Sequence, residues 1–94
     1  MYYAVIDVKT IEDYKLLITF ENNEKKIFDV SKYLDIGKFK ELKNHKMFNT
    51  VKVKFDTIEW DNKLDLDPEL LYNESERVYL VNHRGHALRE NYKL

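Results

Sequence analysis

Cysteine is absent from this chain, and with it go disulfides, cysteine nucleophiles and thiolate metal sites. One Pro and two Gly among 94 residues exclude collagen-like, linker-rich and low-complexity architectures. No run of about 18 apolar residues occurs, so no segment reads as a membrane-spanning helix. The opening MYYAVIDVK lacks an apolar stretch of signal-peptide length. Together these absences lead to the expectation of a cytoplasmic protein. Neither sign of charge dominates. A net charge of -1 gives no global drive toward nucleic acid or a membrane surface.

What is present suffices for one domain. Hydrophobic residues make up 44% of the chain and charged residues 35%, enough for a single core under a soluble surface. The expected division is an α+β domain over 1–75 and, within the same domain, a C-terminal extension over 76–94 that forms a strand, a short helix or both.

Charge is laid out in blocks. Residues 1–37 carry a net -2, residues 38–55 a net +5, residues 56–76 a net -7 and residues 77–94 a net +3. The positive block holds Lys38, Lys40, Lys43, Lys46, Lys52 and Lys54 against Glu41. The acidic block holds Asp56, Glu59, Asp61, Asp65, Asp67, Glu69, Glu74 and Glu76 against Lys63. Such blocks either neutralise each other across the fold or form two-signed faces that steer a partner.

Periodicity reads as strands, then short helices, then strands again. Ala4, Ile6 and Val8 alternate with Val5, Asp7 and Lys9, which predicts a strand over 3–10 with one apolar face. Tyr14, Leu16, Ile18 and Phe20 alternate with Lys15, Leu17 and Thr19, the clearest strand in the chain. The Glu21–Glu24 run is a turn, because Asn tolerates positive φ, and 25–30 resumes as a strand. The short connections make this meander antiparallel. Ser31 is an expected helix N-cap and Gly37 an expected helix end. Phe39 and Leu42 fit one short helix, and Asn44 caps another turn carrying Met47 and Phe48. Val51, Val53 and Phe55 predict a strand with these three side chains inward. Ile58 with Trp60, and Leu64 with Leu66, follow as two more short strands. Asp67-Pro68-Glu69 is a strong helix start: a capping carboxylate, Pro at the first helical position and an acid at the positive end of the dipole. That helix should end near Ser75. Val78 and Leu80 suggest another strand, and Ala87 to Leu94 a frayed final helix. The fold class is α+β: an antiparallel sheet built from two meanders, with short helices between and after them.

Between Asp13 and Tyr72 the chain resembles a known family. The matching residues are Leu17-Ile18-Thr19-Phe20-Glu21-Asn22, Phe28-Asp29-Val30, Phe39, Leu42, Phe48 and Val51-Lys52-Val53. They continue through Ile58-Glu59-Trp60 and Leu64-Asp65-Leu66-Asp67-Pro68-Glu69-Leu70-Leu71-Tyr72. The resemblance is to the family called domain of unknown function 2442, small bacterial domains that also form the N-terminal part of a helix-turn-helix protein. Asn23 and Lys63 stand where that family usually has turn glycines, and Asp61 replaces a Pro. The resemblance implies an α+β fold and does not imply an activity. Its members are often encoded beside small partner genes in arrangements like toxin–antitoxin pairs, which implies a binding protein.

Sites for chemistry are sparse. Asp61, Lys63, Asp65, Asp67 and Glu69 are spaced like the start of a calcium loop. A cation stands at one ligand position, however, Leu66 occupies the place of the required Gly and Tyr72 that of the bidentate Glu. His83 and His86 are the one close His pair, with Glu90 or His45 as further zinc ligands, but a structural zinc site wants four. The only serines, Ser31 and Ser75, fall at helix ends, and no Gly-rich phosphate loop exists. No enzyme activity and no cofactor are expected.

The function expected is therefore a non-catalytic protein-binding module, antitoxin-like or inhibitor-like and of bacterial or phage origin. It would hold a basic protein partner, with a nuclease as one candidate. Its expected contacts are Glu59, Asp61, Asp65, Glu69 and Glu74. Two other readings stay open: a nucleic-acid-binding accessory using Lys38, Lys43, Lys46, Lys52 and Lys54, and a metal-binding module using His83 and His86. A homodimer is compatible with each.

Overall fold

Alternating polarity and turns too short to cross a sheet force the first strands into an antiparallel meander. The computed structural model describes residues 2–81 and 87–89. Strands β1 (Val5–Ile11), β2 (Lys15–Phe20) and β3 (Lys25–Asp29) pair in succession, with Leu16 opposite Phe28 and Val8 opposite Ile18. A long excursion follows β3. It contains 3-10 turns over Val30–Tyr33 and Gly37–Lys43, helix α1 (His45–Phe48), a hairpin of β4 (Lys52–Lys54) and β5 (Thr57–Glu59), and helix α2 (Pro68–Glu74). The chain then returns to the same sheet. Strand β6 (Glu76–Val81) pairs antiparallel with β3, and β7 (Ala87–Arg89) with β6, giving the order β1-β2-β3-β6-β7. The chain is thus α+β, with an antiparallel main sheet and a second, two-stranded sheet.

The excursion exists to cover one face of the sheet. Leu16, Ile18 and Phe20 from β2 and Phe28 from β3 pack with Val30, Leu42, Phe48, Ile58, Trp60 and Leu71. Trp60 is fully buried, and its indole N–H donates to the Phe48 carbonyl at 3.0 Å, so ring area and polar atom are both satisfied. Asp67 caps α2 by accepting from the Glu69 N–H at 3.3 Å, Pro68 occupies the first turn, and the Ser75 hydroxyl donates to the Leu71 carbonyl at 2.6 Å.

Several local expectations are corrected. In β1, Val5 is opposite Phe20 but Asp7 is opposite Thr19, so Ile6 is the extra residue of a bulge. The bulge breaks the period of two. Val5 turns into the core, whereas Ile6 is 54% exposed. The cap of the first 3-10 turn is Asp29, whose carboxylate accepts from the Ser31 N–H at 3.0 Å; Ser31 lies inside the turn. Gly37 starts the second 3-10 segment with φ 48 instead of ending the first. Leu64 and Leu66 form no strand. A single bridge between Glu59 and Asp65 is all the pairing there, and the second meander is a hairpin alone. Residues 87–89 are strand, not helix. Val53, on the same face as the buried Ile58 opposite it, is still 36% exposed, and Phe55 is 89% exposed.

Candidate functional site

The acidic block starts on the β4–β5 hairpin and ends at Glu76, the first residue of β6, and the hairpin decides which of its first acids stay available. Antiparallel register puts Lys52 opposite Glu59 and Lys54 opposite Thr57. From there Lys52 reaches Asp61 at 2.9 Å and Lys54 reaches Glu59 at 3.0 Å. The Lys54 hydrogen bond holds the Glu59 carboxyl below its ordinary range, and the Asp61 hydrogen bond raises Lys52. Glu59 is buried by its neighbours and is not presented as a contact. Asp61 is exposed but already faces a cation.

The remaining acids do not form one continuous face. Asp65 is exposed and lines a cleft of about 160 Å³ with Lys54, Phe55, Thr57 and Glu59. Asp61 lines a different, shallower cleft of about 480 Å³ with Glu41, Asn44, Lys46, Met47 and Thr50. Glu69 and Glu74 are both exposed on α2, yet five positions apart, which is roughly 140° around a helix axis.

The lysine block is partly discharged as well. Lys43 is bound to Asp35 at 2.8 Å, and Lys52 and Lys54 hold the pairs above. Lys38 and Lys46 are exposed. Of the aromatics in this stretch, Phe48 is buried and Phe39 packs on the core, leaving Phe55 as the ring in solvent. The pair His83 and His86 lies outside the described residues. Among the described residues no group of three or more His, Cys, Asp or Glu is placed to hold a metal ion. The two serines are engaged locally. The Ser31 hydroxyl donates to Asp29 at 2.5 Å, and Ser75 bonds the turn before it.

One cluster went unseen in the sequence. Glu24, in the β2–β3 turn, accepts from the Tyr72 hydroxyl at 2.6 Å, from Asn22 at 3.2 Å and from Arg77 at 3.1 Å. Burial opposes its charge, but the Tyr72 and Asn22 hydrogen bonds, the nearby Lys26 charge and the Arg77 contact outweigh that and lower its pKa. The same Tyr72 hydrogen bond raises the phenol. Beneath it, buried Lys26 donates to the Tyr72 carbonyl at 2.8 Å, and its ammonium lies 3.5 Å over the Tyr72 ring. These groups come from a turn, a strand, α2 and β6, so no local spacing announces them. Their mutual satisfaction makes the cluster a brace between α2 and the sheet.

Comparison with known proteins adds one finding. The family described as "Protein of unknown function (DUF2442)" matches residues 5–77. The chain belongs to this family. No curated protein and no solved structure matches it. The match spans β1 through the start of β6, so β1, β2, β3 and the covering excursion fall within the DUF2442 unit, while most of β6 and all of β7 lie beyond it. The family's description carries no reaction, and nothing indicates catalysis. Among the described residues no helix is long and apolar enough to cross a membrane.

Proposed function

We propose that this DUF2442 chain is a non-catalytic protein-binding module, antitoxin-like or inhibitor-like, that takes a basic protein partner in the cytoplasm. One observation carries the reading. After Lys52 and Lys54 are matched by Asp61 and Glu59, the acidic block still presents the exposed carboxylates of Asp65 and Glu74, and Lys63 is the one cation in residues 56–76 of the sequence. Exposed carboxylates of this kind act mainly on the rate of encounter with an oppositely charged surface. A basic nuclease, with its positive cleft, fits that chemistry.

The test is capture of partners by the full chain from host lysate, followed by binding kinetics with the purified partner. A Asp65→Lys, Glu74→Lys double variant should fold as the parent does and associate about tenfold more slowly at low salt. Recovery of nucleic acid alone, lost when Lys38 and Lys46 are both changed to Ala, overturns the reading and establishes the nucleic-acid accessory in its place. Exposed Lys38, Lys46 and the Phe55 ring are the observations in favour of that second function.

A further inference from the structure

The β4–β5 hairpin ends in a residue that the fold does not ask for. Lys54 pairs with Thr57, so Phe55 and Asp56 make the whole turn. Phe55 has φ 55, at the first central position of a two-residue turn, where glycine is favoured. A bulky residue in this region is strained. The residue is 89% exposed, so no burial offsets that strain. For the turn alone, glycine is the better residue.

The surroundings of the ring are acidic. The cleft of about 160 Å³ beside it is lined by Lys54, Phe55, Thr57, Glu59 and Asp65. Lys54, the cation in that lining, is held 3.0 Å from Glu59, which leaves the exposed Asp65 carboxylate unmatched by it. Asp56 follows Phe55 in the turn. Its carbonyl accepts from the Val5 N–H at 3.0 Å and its carboxylate from the Tyr2 hydroxyl, which docks the tip on the bulged end of β1. That hydrogen bond to Asp56 is the main cause that raises the Tyr2 phenol.

An aromatic face with carboxylates around it has a natural complement. A guanidinium stacks flat on a ring and presents paired N–H donors to a carboxylate, which neither a phosphate nor a neutral apolar group does. We propose that the cleft beside Phe55 receives an arginine side chain of the basic protein partner, the guanidinium stacked on the Phe55 ring and hydrogen-bonded to Asp65. The inference rests on the acidic-surface reading above and supplies its anchor. A phosphate backbone brought to the same place meets the exposed Asp65 carboxylate and is repelled.

The test uses the isotope-labelled full chain, titrated with a short oligoarginine peptide and followed by backbone amide shifts. Perturbation should centre on Lys54–Thr57 and Asp65. Phe55→Leu keeps an apolar side chain without the ring and should weaken binding about two- to fivefold, the size of an exposed cation–π contact. Oligolysine should bind more weakly than oligoarginine. Phe55→Gly relieves the backbone, so it should melt at or above the parent temperature while losing the same binding, which separates loss of the site from loss of the fold. Unchanged affinity in Phe55→Leu, a lower melting temperature in Phe55→Gly, or equal binding of oligolysine overturns the arginine site. If Glu74→Lys, outside the cleft, weakens binding and Phe55→Leu does not, the acidic surface stands and only the anchor falls. If neither variant matters, both fall. Single-stranded DNA binding that depends on Phe55 also overturns the proposal, in favour of base stacking.

Discussion

At the scale of the residue, two positions outside Phe55 carry testable consequences. Lys63 sits at φ 70 in the loop after Trp60, where its N–H donates to the Trp60 carbonyl at 3.0 Å. The left-handed region costs a side-chain-bearing residue about 1 kcal/mol, and glycine escapes that cost. Lys63→Gly should therefore raise stability by about 1 kcal/mol in urea unfolding; a loss of stability would show that the Lys63 side chain contributes more than its backbone costs. Trp60 is the opposite case. Truncation to Ala removes the largest fully buried side chain and should cost about 3–5 kcal/mol. Trp60→Phe keeps most of the apolar volume but strips the Phe48 carbonyl of its indole donor, which should cost about 1–3 kcal/mol. The difference between the two variants measures packing apart from hydrogen bonding. Lys63 and Trp60 were both legible in sequence, the first as a residue in a glycine position and the second as a lone Trp on an alternating strand.

At the scale of the element, the bond between α2 and the sheet runs through Glu24. Its carboxyl is held below the ordinary glutamate value of 4.5, so the folded state prefers it charged. The contribution is present above the unfolded value and is lost as pH falls through the depressed folded one. Glu59, lowered by its hydrogen bond to Lys54, adds to the same acid limb, whereas Asp35, lowered by Lys43, is too exposed to add much. Thermal unfolding across pH 7 to about pH 3 should show this limb, since acid loss follows protonation of paired carboxylates. Glu24→Gln should flatten it while lowering stability at neutral pH, because the amide keeps a hydrogen-bond acceptor for Tyr72 but loses the charge that Arg77 meets. A limb of undiminished slope would show that Glu24 does not hold the brace. This brace was invisible in sequence because its members come from four separate elements. The bulge at Ile6 was invisible for another reason. A period of two assumes one residue per partner, and only pairing with β2 reveals the extra one.

At the scale of the whole molecule, charge blocks of opposite sign meet each other first and a partner second. Lys43–Asp35 and Lys52–Asp61 are solvent-exposed pairs and contribute little to stability. Raising salt past 0.1 M, where the screening length is about 10 Å, should leave the melting temperature nearly unchanged while slowing association with a basic partner. A melting temperature that falls steeply with salt would mean that the blocks hold the fold together, not its encounters. By itself the sequence determined the antiparallel meander, the Asp67–Pro68 start of α2, the burial of Trp60 and the family, because each rests on local periodicity, turn length or a short run of residues. Only the tertiary structure decided which charges remain available and which ring faces water. An ion pair such as Lys54–Glu59 depends on hairpin register, and the exposure of Phe55 depends on a turn that reverses the alternation its neighbours suggest.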